Sequence, residues 1–337
     1  MRKPLISVVL PLYNRQEYIK ESINSVLEQT ITDLELLIID DASTDGSLEI
    51  IKRIKDPRIK LFTKTINEGV ASAINIGLQQ AKGEFVARMD SDDISYPERF
   101  EKQLKVFQDN PNLVVCGSWV VRDDDVVLKF RETHEEILVN MLHRCALSMG
   151  TSFFKRKKMD GLFLKEGLRH GEDYEFWSRL ILKGEFYNIQ EPLLYYRSNS
   201  SQLSQLYEEK QRIMDVDIQL TFLKRIPYNQ NDYPDSLLKN ILKRETYFSP
   251  SEFKRFLNWQ KHLIVLNEKT GCFLKKEFNQ FIEEQRRNLI FDLFFKRNNI
   301  NQGKNWRIKV FLNLNRKEQK IILNQKLKEK AKLMWNG

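Results

Sequence analysis

The stretch GEFVARMDSDD, at residues 83–93, sets the interpretation of the whole chain. Its first half, from Glu84 to Ala87, has the apolar centre of a short, partly buried strand. Three carboxylates then follow within four residues, and such clustered charge is costly unless a cation offsets it. A divalent metal that also carries phosphate would do so, because hard cations bind carboxylate and phosphate oxygens together. An acidic turn is the alternative, and these residues alone slightly favour the turn.

The strand at 84–87 is the fourth in a regular alternation of apolar strands and amphipathic helices. The first three strands are predicted at 5–10, 34–41 and 59–62. Short connections in such a βαβ series predict an α/β, Rossmann-like fold with a mainly parallel sheet and helices on both faces. Later strands are predicted at 113–117, 150–154 and 193–197, and later helices at 133–147 and from about 172.

Polar segments follow the predicted strands at one edge of the sheet. They lie at 11–14, 40–41 and 90–93. Ligands of open α/β sheets bind at this edge, where the carboxyl ends of the strands meet. The chain has neither a GxGxxG fingerprint nor a P-loop, so a bound phosphate would need a metal. This favours a metal site at Asp90 and Asp92 over the turn. Pro11 is expected to end the first strand, and Asp93 to cap the helix that follows.

The composition is that of a globular protein. Of 337 residues, 41% are hydrophobic and 30% are charged, which is enough chain for two domains. We find no apolar run of membrane-spanning length and no signal-peptide pattern. Cys116, Cys145 and Cys272 are odd in number and lack CxxC spacing, so we expect reduced thiols rather than disulfides or a zinc site. These features predict a cytoplasmic protein.

The sequence pattern changes after residue 204, which predicts domains at 1–204 and 205–337. The second region is mostly helical, with amphipathic segments at 252–266, 277–295 and 316–333. It holds 27 Lys and Arg against 15 Asp and Glu. This balance suggests an anionic membrane surface as a partner, although a solvated helical surface explains any single Lys pair as well. No nucleic-acid partner is expected.

Five short motifs occur in order between residues 5 and 200. They are a strand ending in Pro11-x-Tyr13-Asn14, then Asp40-Asp41-x-Ser43-x-Asp45-Gly46, Asn67-x-Gly69, Asp90-Ser91-Asp92, and Glu172-Asp173 followed by Trp177. Each motif is weak alone, but five in this order resemble the inverting glycosyltransferases of family 2. The resemblance implies the GT-A fold and a nucleotide-diphosphate sugar as donor. It does not extend over residues 205–337.

The resemblance also implies which residues bind the donor. The residues implied to contact the nucleotide sugar are Pro11, Tyr13, Asn14, Asp40, Asn67, Arg88 and Asp90. A carboxylate at Asp40 can accept the ring N–H of uracil, which favours uridine. Asp92 would bind Mn²⁺ or Mg²⁺ together with the diphosphate. Asn199 stands where many relatives carry a His that helps to hold the metal, and it is the candidate for a further ligand.

The same resemblance implies that Asp173 is the catalytic base and that Glu172 orients the acceptor. A single displacement at the anomeric carbon needs one carboxylate to accept the proton of the attacking hydroxyl. About 80 residues separate this pair from the acidic cluster, and we expect the two groups to meet across a cleft. The alternative for Asp173 is a helix-terminal carboxylate, whose pKa the helix dipole would lower.

Together these features predict a hexosyl- or N-acetylhexosaminyltransferase. Its donor would be a UDP-sugar, and its acceptor a hydroxyl of a surface polysaccharide, a lipooligosaccharide or a lipid-linked oligosaccharide. It would work in the cytoplasm or at the inner face of the cell membrane. A sugar-phosphate nucleotidyltransferase is one alternative, but it usually needs a Gly-rich basic loop near the N-terminus. A non-catalytic membrane scaffold that binds nucleotide sugars is the other. The sugar, the linkage and the oligomeric state stay open.

Overall fold

The structure is a computed structural model that describes residues 3–159, 161–168, 171–197, 208–243, 247–295 and 304–324. The chain divides into two compact units, Met1–Gln211 and Arg212–Gly337. The predicted boundary between residues 204 and 205 lies outside the described residues.

The first unit alternates strands and helices along the chain. Its strands are β1 (Ile6–Leu12), β2 (Leu34–Asp40), β3 (Ile59–Thr63), β4 (Phe85–Arg88), β5 (Ile94–Ser95), β6 (Leu113–Arg122), β7 (Val127–Leu128), β8 (Phe153–Lys155) and β9 (Glu185–Tyr196). Its α-helices are α1 (Ile19–Leu27), α2 (Ser47–Arg53), α3 (Val70–Gln80), α4 (Arg99–Asp109), α5 (His134–Asn140) and α6 (Glu172–Leu180).

The described strands form one sheet in the order β3-β2-β1-β4-β8-β6-β9-β5, with β7 paired to β6. The four strands β1 to β4 are parallel to one another. Every residue of β1 and β2 is buried, as expected for strands covered on both faces. The α/β prediction is therefore confirmed, and the chain order brings the carboxyl ends of β1, β2 and β4 to one edge.

The first strand runs further than expected. Pro11 does not end β1, which continues to Leu12 in register with β2. On its other side, β1 pairs with β4 only over Ile6–Val9. Pro11 therefore lies where β1 has a single neighbour, and its missing N–H breaks no ladder of a central strand.

The other half of the sheet is mixed. β8 is antiparallel to both β4 and β6, while β6 and β9 are parallel. The strand predicted at 150–154 starts only at Phe153, because residues 149–151 form a 3₁₀ turn. The strand predicted at 193–197 is the end of the longer β9, whose register on β6 shifts near Pro192.

The helix predicted at 133–147 ends at Asn140. Beyond it, the amide of Asn188 in β9 donates to the carbonyl of Ala146, at 3.2 Å, and to that of Arg131, at 2.7 Å. The Asn188 amide, from a distant strand, thus binds the backbone carbonyl of Ala146 within the segment that was predicted to be helical. A long-range contact of this kind cannot be read from local periodicity.

Helices make up the described part of the second unit. They are α7 (Glu208–Leu223), which begins before the unit boundary, α8 (Asp235–Lys243), α9 (Pro250–Thr270), α10 (Lys275–Phe295), α11 (Lys304–Asn313) and a last helix at 316–324. The predicted helices at 252–266 and 277–295 are confirmed as parts of α9 and α10, whereas α8 was not predicted. Large aromatic side chains, among them Phe253 and Trp259, form a core of their own. Among the described residues, no helix is long and apolar enough to cross a membrane.

Candidate active site

The acidic cluster lies at the carboxyl edge of the parallel strands, in the loop that connects β4 to β5. We call residues 89–93 the acidic loop. The hydroxyl of Ser22 in α1 lies 3.0 Å from the carbonyl oxygen of Ser91 and 2.7 Å from that of Asp93. From the opposite side, the backbone N–H of Arg197 donates to the Asp93 carboxylate at 3.3 Å. The loop is therefore held by α1 and by the residue that follows β9.

The three carboxylates of this loop have different partners. Asp90 pairs with Arg88 at 2.5 Å, and Asp92 pairs with the Nε of Arg15 at 3.0 Å. Asp93 is fully buried, and its Oδ2 has no hydrogen-bond partner among the described residues. The expectation that Asp93 caps a helix is wrong, because α4 begins only at Arg99, with Glu98 in the N-cap position.

Burial and mutual repulsion act on the pKa values of this cluster. Burial, with the charge of Asp90, raises the pKa of Asp92. The same two causes and the charge of Asp92 raise the pKa of Asp93 well above its usual range. Burial and the three Asp charges also raise the pKa of Tyr196, at the end of β9, to about 12. The site thus concentrates negative charge in a poorly solvated place, and a bound cation would relieve it.

Gly150 leaves the space that this cluster needs. A Cβ at this position would lie 3.3 Å from Asp93 Oδ2 and 3.4 Å from Asp90 Oδ2. Two carboxylate oxygens therefore converge on the backbone of the 3₁₀ turn.

The donor set suits a hard divalent cation, but only in part. An unpartnered buried carboxylate oxygen beside a second carboxylate is oxygen chemistry that Mn²⁺ or Mg²⁺ accepts. Within the described ranges, however, no group of three such side chains could hold a metal together. Asn199, the further candidate ligand, lies outside the described residues. The protein groups therefore fit an ion whose remaining ligands come from a diphosphate and water.

The loops after β1 and β2 are tied together beside the acidic loop. The backbone N–H of Asn14 donates to Ser43 Oγ at 3.0 Å, and Asn14 Oδ1 accepts from the Thr44 N–H at 2.8 Å. Asn14 has a positive φ of 50°, a conformation that Asn tolerates better than most residues. Tyr13 is 44% exposed at the end of β1. Pro11, one residue before the end of that strand, is buried.

The carboxylates of Asp40 and Asp41 both accept hydrogen bonds from nearby backbone N–H groups. The buried Asp40 carboxylate accepts the Ser43 N–H at 3.2 and 3.3 Å, which leaves a lone pair on each oxygen for a ligand. Asp41 pairs with Lys64 at 2.5 Å and accepts the Gly69 N–H at 2.7 Å. It thereby fixes the start of α3, while Asn67 in the same connection is exposed.

Glu172 and Asp173 begin α6, after Gly171 in a left-handed conformation. Asp173 Oδ1 accepts the Tyr174 N–H at 2.7 Å, and Asp173 Oδ2 lies 3.6 Å from the Sγ of Cys145. Among the described residues, the buried Oε2 of Glu172 has no hydrogen-bond partner. Both side chains are thus held in a largely dry place at the start of a helix.

Burial raises the pKa of Asp173 above its usual range. This direction disagrees with the alternative of a helix-terminal carboxylate whose pKa the dipole lowers, since desolvation outweighs the favourable contacts. Burial also raises the pKa of Glu172, and the negative charges of Asp173 and Asp90 add to this rise. The positive charge of Arg88 lowers the pKa of both Glu172 and Asp173 and so opposes part of this rise.

These electrostatic effects mean that the acidic loop and the start of α6 are close in space. Arg88 pairs with Asp90 and is also near enough to Glu172 and Asp173 to shift their pKa values. The expected meeting of the two acidic groups across a cleft stays a prediction, which this electrostatic coupling through Arg88 favours.

Sequence reasoning missed three residues at this edge. Arg15 pairs with Asp92, Arg197 donates its Nη1 to the Asp92 carbonyl at 3.2 Å, and Cys145 contacts Asp173. Arg197 follows a strand and a tyrosine, a position that could have suggested a site residue. Nothing in the sequence distinguishes Arg15 or Cys145 from other residues of their types.

Comparison with known proteins supplies further evidence. A sequence model described as "Glycosyl transferase family 2" matches residues 7–171. An "Uncharacterized glycosyltransferase" of Haemophilus influenzae is 32% identical over 228 residues, which cover 62% of this chain and 70% of the relative. The Escherichia coli protein named "UDP-Glc:alpha-D-GlcNAc-diphosphoundecaprenol beta-1,3-glucosyltransferase WfgD" is 31% identical over 63% of this chain and 85% of its own.

Among solved structures, TarS residues 1–349 of S. aureus in complex with UDP-GlcNAc is similar in fold. The TM-score is 0.59 at 17% identity, over 88% of this chain and 93% of that chain. At this identity the likeness concerns the fold alone, and it agrees with the GT-A arrangement that the motifs imply.

Proposed function

This chain belongs to glycosyltransferase family 2, and we propose that it transfers a sugar from a UDP-sugar to an acceptor hydroxyl, with inversion at the anomeric carbon. The name of one relative supports UDP as the carrier, since the E. coli protein is named a UDP-Glc transferase. The donor residues proposed are Pro11, Tyr13, Asn14, Asp40, Asn67, Arg88 and Asp90.

One observation carries this proposal. Arg88 at the carboxyl edge of the sheet pairs with Asp90 and also lowers the pKa of Glu172 and Asp173, two carboxylates far away in sequence. Inverting transfer needs two groups of carboxylates with separate tasks, one at the leaving diphosphate and one at the attacking hydroxyl.

Asp173 has the chemistry of a base. As the acceptor oxygen forms its bond to the anomeric carbon, the bond from that carbon to the phosphate oxygen breaks, and UDP leaves with the electron pair. The hydroxyl proton passes to the Asp173 carboxylate. Because burial raises its pKa, this carboxylate accepts a proton more readily than an exposed Asp would. Glu172, in the same first turn of α6, would orient the acceptor.

The acidic loop would serve the leaving group. Asp92, with Asp90 and Asp93 beside it, would hold Mn²⁺ or Mg²⁺ against the diphosphate. When bound, such an ion supplies positive charge that stabilises the departing phosphate. Arg88 would contribute a fixed positive charge to the same region. Arg15 now neutralises Asp92, and we expect it to turn toward a bound phosphate.

For the acceptor, we propose a saccharide, free or linked to a lipid diphosphate as in the name of the E. coli relative. Residues 205–337, with 27 Lys and Arg against 15 Asp and Glu, would favour an anionic membrane surface where such lipids reside. Sedimentation of the chain with anionic vesicles, compared with neutral vesicles, tests this part separately.

The base is tested with Asp173→Asn, which keeps the shape of the side chain but cannot accept the proton. We expect kcat to fall by roughly a thousandfold, with the KM for the UDP-sugar changed only a few-fold. Asp109→Asn, at an exposed position near the end of α4, is the matched control and should retain wild-type rates. Near wild-type turnover of the Asp173 variant would refute the assignment.

The donor and the metal are tested together. UDP-Glc, UDP-Gal, UDP-GlcNAc and UDP-GalNAc are offered with Mn²⁺, and release of UDP is measured with and without EDTA. We expect turnover with at least one donor and its loss on chelation. Activity that survives EDTA would remove the metal from the proposal while leaving the transferase reaction intact. Release of pyrophosphate from UTP supplied with a sugar 1-phosphate, without turnover of the UDP-sugars, would indicate a nucleotidyltransferase instead.

A further inference from the structure

A polar cavity lies at the edge of the sheet opposite the acidic loop. Its volume is about 470 Å³, and its lining comes from the segments that precede β1, β2 and β4 and from the end of β8. Because β8 is antiparallel to β4, its last residues return to the amino ends of the parallel strands. We call this cavity the amino-edge pocket.

The amino-edge pocket is strongly basic. Its lining holds the cationic side chains of Lys3, Lys82, Lys155, Arg156 and Lys157. Among the described residues, two carboxylates, Asp33 and Glu84, line it as well. Five basic side chains against two carboxylates give this concavity a local excess of positive charge.

Two of the basic side chains contact neutral protein groups, which leaves their positive charge without a carboxylate partner in these contacts. Arg156 is anchored by one nitrogen, since its Nε donates to the Gly83 carbonyl at 2.6 Å. Lys155 Nζ lies 3.3 Å from the Pro111 carbonyl oxygen. Among the described residues, Lys82 and Lys157 form no ion pair, and both side chains are exposed.

This chemistry suits a phosphate. A guanidinium with neighbouring ammonium groups provides the fork-shaped donors and the multiple positive charges that a phosphoryl group binds. The volume is within the range of sites for small molecules. We propose that the amino-edge pocket is a second binding site, for a phosphorylated ligand, separate from the candidate active site.

Distance supports the separation of the two sites. β1 has seven residues, and at about 3.3 Å per residue it spans about 20 Å between the two edges. A UDP-sugar held at the acidic loop could not reach the amino-edge pocket. The pocket therefore needs its own ligand, either a free phosphorylated compound or the phosphate of a lipid headgroup.

Two probes distinguish these sources. Inorganic pyrophosphate is titrated into the full chain by calorimetry in EDTA, which suppresses metal-dependent binding at the acidic loop. Vesicles of phosphatidylglycerol, and of phosphatidylcholine as the neutral reference, are used in sedimentation. The variants are Lys82→Glu and Lys157→Glu. Lys20→Glu, exposed in the first turn of α1 near the opposite edge, is the charge-matched control.

We expect each pocket variant to weaken pyrophosphate binding by at least tenfold, while Lys20→Glu changes it less than twofold. Weakened pyrophosphate binding supports a free phosphorylated ligand. Sedimentation with phosphatidylglycerol alone, lost in the pocket variants, supports a lipid phosphate. The proposal is overturned if neither probe binds, or if the pocket variants behave like Lys20→Glu. All three substitutions are at exposed sites, and matching thermal melts establish that each variant is folded.

Discussion

At the scale of single residues, Asp173 links the proposed reaction to pH. Its pKa is raised by burial, so the folded state favours the protonated form. The proposed reaction needs the ionised carboxylate, whereas the stability of the folded state is greater when Asp173 is protonated. These two requirements conflict at neutral pH, as is usual where an active site is strained to suit its chemistry.

We predict that kcat/KM rises with pH through an acid limb set by this raised pKa, above the ordinary range of Asp. Folding stability has the opposite sign. Between the unfolded and folded pKa values the native state binds more protons, so stability falls as pH rises. Asp173→Asn should therefore increase the melting temperature at pH 7, and this gain should vanish near pH 4. A melting temperature that is lower than wild type at pH 7 would contradict this account.

We predict that Cys145 shifts the acid limb of the kcat/KM profile through its contact with Asp173. Its thiol is a weak donor 3.6 Å from Asp173 Oδ2, and this contact favours the ionised carboxylate. Cys145→Ala should lower kcat/KM by about two- to tenfold at pH 6, the worth of one weak hydrogen bond. At pH 9 the effect should be less than about twofold, since Asp173 is then ionised in either protein. Cys272→Ala, in the second unit, is the control and should leave the pH profile unchanged.

At the scale of elements, the acidic loop packs closely against the 3₁₀ turn at 149–151 because Gly150 in that turn has no side chain. We predict that Gly150→Ala lowers activity by about tenfold or more, because its methyl group would push against both Asp90 Oδ2 and Asp93 Oδ2. The shift in melting temperature that Mn²⁺ causes should shrink in parallel. Gly161→Ala, where a Cβ meets no atom within 4 Å, controls for loss of a glycine and should keep the Mn²⁺ response despite its own backbone strain.

Helix α3 packs against the sheet through Gly77. A Cβ there would lie 2.3 Å from Val9 Cγ1 and 3.1 Å from Ile39 Cδ1. Gly77→Ala should therefore reduce the free energy of unfolding by about 1–3 kcal/mol, despite the better helix propensity of Ala. Gln79→Ala, exposed in the same helix, should change it by less than about 0.5 kcal/mol. Urea titrations of the three proteins measure both values, and a stabilised Gly77 variant would mean that α3 can move off the sheet.

The elements that could be predicted were those with a strong local pattern. β1 to β4 and the helices between them follow apolar periodicity, and the carboxyl edge follows from their parallel order. β8 and the long β9 could not be predicted in the same way. Their pairing is set by contacts with distant strands, such as Phe153 with Ala87 and Cys116. The contact of Cys145 with Asp173 joins residues 28 positions apart and has no local signal.

At the scale of the whole molecule, the division into two compact units has a direct consequence. The core of the first unit is continuous along its sheet, from Ile6 in β1 to Leu194 in β9. A core of this extent is typical of a domain that folds independently. The second unit has its own cluster of aromatic side chains.

We therefore predict that a fragment ending at Gln211, where the first unit ends, unfolds in a single cooperative transition and binds UDP in the presence of Mn²⁺. Circular dichroism during urea unfolding and calorimetric titration are the two measurements. A fragment that is folded but does not bind UDP would indicate that the second unit contributes to the nucleotide site. A fragment that fails to fold would contradict the independence of the first unit.

The hydrogen bonds that hold the acidic loop and its flanks in place also affect how fast a ligand can associate. The N–H of Ser95 donates to Ser25 Oγ, and the N–H of Arg197 donates to Asp93. These amides are released only when α1 or the end of β9 separates from the loop, so their hydrogens should exchange slowly with deuterium even without ligand. An incoming nucleotide then meets a loop that is already ordered. Its association rate would be set by diffusion and long-range charge, with no folding step to wait for.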